Sequence, residues 1–201
     1  MNLPFHVAGR HDAVHLGTLL GEAFANDPVA RWTLGDPRAI AATYVAFARR
    51  VYVPLGVSHV SPGRGGAMWL PPGVHAGTDI MASLAVGAAL TRFSGVSHIR
   101  RALLLDDAMR RHHPTEPHYY LFLVGVVPPA RGQGLASALL RETLAQADSR
   151  GVPCYLENSN PANRRLYERL GFVGSTPFTA GSDCPPLVPM WREPRDREMA
   201  E

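Results

Sequence analysis

The first chemistry legible in this chain lies between Val126 and Ala136, which read Val-Val-Pro-Pro-Ala-Arg-Gly-Gln-Gly-Leu-Ala. The order is strand end, tight turn and glycine-paced helix start, with the helix expected to begin at about Gly132. The first N–H groups of a helix have no partners inside it, so they point at whatever occupies the turn, and a phosphate suits them. Gly132 and Gly134 let a ligand come close to the backbone. One helix and one strand later comes a second stretch, Glu157-Asn-Ser-Asn-Pro-Ala-Asn-Arg-Arg-Leu-Tyr-Glu-Arg-Leu-Gly-Phe172. It supplies a carboxylate at an expected strand end, amides that can cap or bind, and a phenol on a short helix. Alone, the glycine turn fits many nucleotide sites; the pair is far more restrictive.

The elements that must position these groups follow from periodicity and punctuation. Phe5 to Ala8 reads as a strand, and Asp12 to Ala25 as a helix with Val14, Leu16, Leu19, Leu20 and Phe24 inward, stopped by Asn26-Asp27-Pro28. A second helix fits Arg38 to Val53, ended by Pro54. Strands at Val57 to Val60 and Gly66 to Leu70 make a hairpin across Ser61-Pro-Gly-Arg-Gly. Thr78 to Arg92 and Ser97 to Arg111 read as two helices inserted at about 74–113, the first turning Ile80, Leu84 and Ala88 toward a partner. His118 to Val127 is too continuously apolar for an edge and reads as a central strand. Leu135, Leu139, Leu140, Leu144 and Ala147 stripe the next helix. Pro153 to Glu157 reads as a parallel strand, Pro161 to Leu170 as a short helix, and Phe172 to Thr176 and Leu187 to Trp191 as final strands.

Together the two chemical stretches resemble the GNAT superfamily of acyl-CoA N-acyltransferases. That family's Gln/Arg-x-x-Gly-x-Gly/Ala pattern falls on Arg131-Gly132-Gln133-Gly134-Leu135-Ala136, and its spaced Asn, Tyr and Gly-Phe fall on Asn160, Tyr167, Gly171 and Phe172. His118-Tyr-Tyr-Leu, Val124-Gly-Val and Tyr155-Leu-Glu-Asn-Ser-Asn resemble the puromycin N-acetyltransferase branch more narrowly. The resemblance is strong over residues 118 to 172, with weaker echoes in Ala23-Phe-Ala-Asn-Asp-Pro and Met68-Trp-Leu-Pro-Pro-Gly.

The resemblance implies an α+β fold with a mixed, mostly antiparallel central sheet, helices on both faces and central parallel strands that splay. It implies acetyl-CoA as cosubstrate, its pantetheine arm in the gap near Val126 and Val127 and its pyrophosphate on Arg131, Gly132, Gln133, Gly134, Leu135 and Ala136, with Asn160 capping a helix or bonding the cofactor. Tyr167 becomes the candidate acid for the departing thiolate: a phenol near pKa 10 giving its proton to a thiol near 8.5 goes uphill by roughly 2 kcal/mol. Its alternative role is packing. Glu157 is the best-placed base, with a structural role toward Arg164 or loop amides weighed equally, and Glu22, Asp27, His118 and Tyr119 below it. Phe24, Trp32, Trp69 and Tyr119 are candidates for the acceptor pocket, though aromatics there are more often core. The expected reaction is direct transfer of acetyl to a primary amine of a small molecule in a ternary complex. The alternatives are a peptide N-acetyltransferase and a non-catalytic acyl-CoA sensor.

Composition narrows the classes. The 201 residues suit one domain, expected over 1–194 with a frayed 195–201 tail, and a homodimer is left open. Every one of the 20 basic residues is arginine, which removes Schiff-base chemistry and a lysine-bearing P-loop. The pairs Arg49-Arg50, Arg100-Arg101 and Arg110-Arg111 are isolated and read as solvated helix faces, so no nucleic acid is expected. The apolar run Ile80 to Leu90 is too short for a bilayer, no secretion signal is recognised, and Cys154 and Cys184 have no metal spacing, so a reducing cytoplasm is expected. His112, His113 and His118 lack completing ligands, so no metal is expected. Cys154 reads as a core residue with no histidine identified to activate it.

Overall fold

A computed structural model describes residues 5–74 and 79–195. Seven strands, β1 (His6–Val7), β2 (Val57–Ser61), β3 (Gly65–Leu70), β4 (Tyr119–Val126), β5 (Cys154–Asn158), β6 (Val173–Gly174) and β7 (Val188–Arg192), form one sheet in the order β1-β2-β3-β4-β5-β7-β6. Every neighbouring pair is antiparallel except β4 with β5. Helices cover both faces. Helix α1 (Ala13–Ala23) and helix α3 (Pro37–Phe47) back a core containing Leu16, Leu20, Ile40, Tyr44, Leu123 and Tyr155. Helix α7 (Leu135–Ser149) and helix α8 (Arg164–Arg169) back another containing Trp69, Tyr119, Leu139, Leu156 and Phe172. The tail residues 196–201 lie outside the described residues.

Central placement of β4 is visible in its burial, since nearly every residue from Tyr119 to Val126 is covered. Its register against β3 slips between Met68 and Trp69: Met68 faces Leu123 while Trp69 faces Leu121, leaving Phe122 as an extra residue on β4. A bulge exchanges the faces of everything beyond it. Tyr119 and Leu121 accordingly share the α7 core with Val124, whereas Tyr120, Phe122 and Leu123 share the α1 core.

Several local expectations are corrected. Asn26-Asp27-Pro28 does not merely stop α1; it starts helix α2 (Pro28–Leu34). Asp27 Oδ1 accepts from the amides of Val29 (3.0 Å) and Ala30 (2.9 Å), and Pro28 takes the first helical position, where its missing N–H costs nothing. The single helix expected to Val53 is α3 followed by a π-helical stretch, Ala48–Tyr52, and a last turn α4 (Val53–Leu55) that includes Pro54. Val14 is half exposed.

Helices α5 (Ile80–Phe93) and α6 (Ser97–His112) are inserted between β3 and β4. Ile80 and Leu84 face solvent, because α5 leans on α3 through Leu90, Val86 and Phe93 instead. The stretch 75–78 within the insertion lies outside the described residues. The helix after the glycine turn begins at Leu135, three residues later than Gly132.

Candidate active site

Strands β4 and β5 share a register only at Tyr119–Cys154, Tyr120–Tyr155 and Leu121–Leu156. Beyond Leu121, β4 runs on to Val126 with no strand among the described residues paired to that edge, and a cleft of about 580 Å³ opens there. Its walls include Phe24, Asp27, Val126, Arg131, Gly132, Gly134, Leu135, Ala136, Asn160 and Tyr167. The parted strands thus bring the glycine turn and the tyrosine segment to one opening.

The turn is held in a shape that only glycine adopts readily. Gly132 and Gly134 have φ of 76° and 75°, and a Cβ on either would meet open space, so the left-handed backbone and not crowding is what requires glycine. Among the described residues, no acceptor bonds the amides of Gly132, Gln133, Gly134, Leu135, Ala136 or Ser137; the first paired amide is that of Ala138, to the Gly134 carbonyl. The arrangement fits the diphosphate of a nucleotide: several unsatisfied donors at the start of a fifteen-residue helix.

Arg131 is committed to the protein. Its Nε donates to the Val126 carbonyl (3.0 Å) and its Nη2 to the Ala23 carbonyl (3.1 Å), tying the turn to α1. Gln133 Oε1 accepts from Arg64 (2.5 Å) and its residue is exposed.

The backbone expected to meet the pantetheine arm is divided. The Val127 amide donates to the Arg64 carbonyl, toward β3, and Val127 is buried in the α1 core. This corrects the expectation that it stands free. Because amides alternate along a strand, the Val126 amide turns the other way, into the gap. Asn160 Oδ1 accepts from the Ala162 amide (3.0 Å), capping the turn before α8 at the cleft wall.

Tyr167 lies in the cleft wall although its residue is 6% exposed. Its ring packs edge-on against Phe172, and its hydroxyl is bonded to nothing among the described residues. Burial, with the negative charge of Asp27 second, pushes the phenol well above its ordinary value, so it stays protonated. Asp27 is itself buried, its Oδ2 accepting from Ser159 (2.7 Å). Burial raises its carboxyl despite the bonds from Ala30, Ser159 and Val29.

Glu157 is not on the cleft wall. Its side chain is 2% exposed, with Oε1 unbonded, 3.7 Å from Nδ1 of His113. The phenols of Tyr52, Tyr120 and Tyr155 surround it: burial chiefly, and its charge next, hold all three well above their ordinary values. The alternative of an ion pair with Arg164 is not realised, since Arg164 bonds Glu168 (2.7 Å).

Of the aromatic candidates, Phe24 lines the cleft. Trp69 and Tyr119 are wholly buried beneath α7, which corrects their assignment to a pocket; the alternation of β3 puts Trp69 on that face, opposite Leu121, and Tyr119 shares it two residues before Leu121 on β4. Trp32 sits in a satellite cluster with Phe178 and Cys184 under the Arg101 guanidinium, away from the cleft wall. Cys154 is buried and its thiol is pushed up to about 12, chiefly by burial. Sequence reasoning missed His113 as a partner of Glu157, and Ser137, Leu166 and Arg169 in the cleft wall. Ser137 could have been found as the third helical position after a glycine start. Among the described residues no group of three or more His, Cys, Asp or Glu side chains is arranged to hold a metal, and no helix is long and apolar enough to cross a membrane.

Residues 94–172 match the model of the acetyltransferase (GNAT) family. Over 85 residues the chain is 38% identical to an uncharacterized N-acetyltransferase of Schizosaccharomyces pombe, covering 41% of this chain and 34% of that protein. Over 56 residues it is 47% identical to the mycothiol acetyltransferase of Thermobispora bispora, covering 26% and 19%. The chain therefore spans 34% and 19% of the length of these two curated relatives.

A crystal structure described as histone acetyltransferase HPA2 and related acetyltransferase, from Corynebacterium glutamicum, superposes with a TM-score of 0.71 at 28% identity, over 95% of this chain and 96% of that one. Arylalkylamine N-acetyltransferase 2 of Aedes aegypti shares the fold, with a TM-score of 0.62 at 15% identity over 97% and 100%. The sheet order, the single parallel pair and the parted strands are those of the GNAT fold. Over residues 94–172 the chain is thus similar to GNAT acetyltransferases, and its whole length takes the fold of a structure described as an acetyltransferase.

Proposed function

We propose that this protein moves the acetyl group of acetyl-CoA directly to a primary amine of a small molecule while both are bound. The observation that carries the reading is the cleft itself, where unpaired amides from Gly132 to Ser137 and the unbonded hydroxyl of Tyr167 face one opening between parted strands. Gly132, Gln133, Gly134, Leu135, Ala136 and Ser137 would hold the diphosphate through their N–H groups. The Val126 N–H would meet the acyl arm and stabilise charge developing on the thioester oxygen. Arg131 acts by fixing the turn.

Tyr167 supplies a proton, or a hydrogen bond, to the departing sulfur. Its raised value makes full transfer to a thiolate costlier than the roughly 2 kcal/mol of an ordinary phenol, so bonding to sulfur in the transition state is its principal contribution. Glu157, which lies behind the cleft wall, is the base of this reading, and the proton of the amine must cross that wall to reach it. A lysine-like ammonium costs roughly 4.6 kcal/mol to deprotonate at pH 7, an α-amino group near pKa 8 only about 1.4. The lighter demand favours α-amino acceptors. The puromycin N-acetyltransferase-like motifs support a small aminonucleoside or amino-acid-like amine. A covalent route through Cys154 has no support from a buried thiol pushed up to about 12.

The test is product mass after incubation with acetyl-CoA and parallel panels of small amines and peptides. Acetylated small amines are expected. Acetylated peptide alone would overturn the acceptor class, and acetyl-CoA binding without any product would leave a sensor.

A further inference from the structure

We infer that His113 is the proton exit for Glu157. The inference rests on the reading of Glu157 as the base and concerns a step that the cleft does not solve. Glu157 is buried among phenols that their own burial keeps protonated, so a proton arriving from an amine has no direct way to water. His113 is the group that joins this carboxylate to the surface. It follows the last turn of α6 as its C-cap, its Nδ1 stands 3.7 Å from Glu157 Oε1, and its side chain is 30% exposed. That separation is an ion-pair distance, longer than a hydrogen bond, and catalytic contacts commonly tighten when substrate binds.

The ring is held in place from several sides. Tyr120 and Tyr155 meet it edge-on at 4.9 and 5.2 Å between centroids, and His118 lies tilted at 4.9 Å. The neighbouring histidines are committed elsewhere: His112 Nδ1 pairs with the Ala108 carbonyl while its ring stacks on Phe178, and His118 Nδ1 pairs with the Glu116 carbonyl. The titratable groups facing the pair are therefore His118 beside the imidazole, Tyr120 and Tyr155 beside both, and Tyr52 near the carboxylate.

The step balances simply. The ammonium N–H bond breaks and its proton goes to a Glu157 oxygen; that proton passes to Nδ1 of His113, the other ring nitrogen releases one to water, and exchange with solvent restores the starting tautomer. No oxidant or further reactant is needed. His113 does not touch the reacting atoms in this scheme; it is a positioning and relay residue acting through Glu157.

The experiment compares wild type with His113→Gln and His113→Ala. In His113→Gln, kcat should fall roughly tenfold or more, with KM for acetyl-CoA and the melting temperature nearly unchanged. In His113→Ala, added imidazoles should restore rate in the order of their basicity, which a merely structural role would not produce. Separately from activity, the nuclear magnetic resonance signals of the His113 ring should shift in Glu157→Gln, as the facing carboxylate is removed. Wild-type kcat and pH profile in a folded His113→Gln, or rescue indifferent to imidazole basicity, would overturn the relay while leaving acetyl transfer intact. If wild type acetylates no amine, the function and the relay fall together. His113 ring signals unmoved in Glu157→Gln overturn the pairing on their own.

Discussion

Tyr167→Phe separates chemistry from packing at the one residue where the two readings compete. The hydroxyl has no bonded partner among the described residues, and the ring makes its edge contact with Phe172 through carbon alone. Removing the oxygen therefore forfeits none of the roughly 0.5–1.5 kcal/mol that a buried hydrogen bond contributes. Stability should change by less than about 0.5 kcal/mol, a shift of a degree or two in Tm for a domain of this size.

The rate should respond differently. A placed acid or donor typically contributes 10²–10⁴-fold, which at about 1.36 kcal/mol per tenfold is about 2.7–5.4 kcal/mol in the barrier. Thiol release should be followed in single turnovers, so that slow product departure does not conceal the chemical step, alongside acetyl-CoA affinity and a thermal melt. Because burial first and the Asp27 charge second hold the phenol above its ordinary value, it remains protonated throughout ordinary assay conditions, and the ratio of wild-type to variant rates should be flat with pH up to that ordinary value of 10.0. A Phe variant with wild-type rate would refute the acid role. A Phe variant that loses several degrees of Tm would show that the hydroxyl has a structural partner and that its freedom in the cleft was misjudged.

Gly134→Ala should lose about 1–2 kcal/mol of stability, because φ of 75° is costly for any side chain, and should raise KM for acetyl-CoA more than it lowers kcat; equal Tm and KM would contradict the strained turn. Asp148 is held below the ordinary carboxylate value of 3.8, where its partial burial is outweighed by paired bonds from Arg192 and one from the Arg195 amide. Its contribution to stability is thus complete above 3.8 and disappears as pH falls through the lowered folded value. Urea melts should show Asp148→Asn less stable than wild type at neutral pH, with the gap narrowing in acid; a constant gap would argue against this linkage. Cys154, with its thiol pushed up to about 12, should resist alkylation in the native protein at pH 8, and Cys154→Ala should retain kcat; labelling at the rate of a free thiol would reopen the covalent route.

What the sequence determined by itself was local in origin. Glycines at 132 and 134 state a backbone conformation, and a helix start implies unsatisfied donors wherever it sits, so the turn proposed to hold the ligand could be read before any fold was known. The long apolar stripe of α7 and the unbroken run of β4 were legible for the same reason, because period and face are properties of a short segment. Helix α2 was legible too and was misread: Asp27-Pro28 is a starting signal as much as a stop.

Tertiary structure decided everything that depends on which face meets which. One extra residue at Phe122 sets Tyr119 and Leu121 on the same face as Val124, and Trp69 joins them there opposite Leu121; no spacing rule announces where a bulge falls. The packing of α5 on α3 leaves Ile80 and Leu84 in solvent despite a helical stripe. His113 and Glu157 belong to segments separated by a strand and a helix, and only the fold sets the imidazole that follows α6 beside a buried carboxylate of β5. Periodicity tells a residue which side of its own element it occupies; the neighbour on that side is chosen by burial summed over the whole chain.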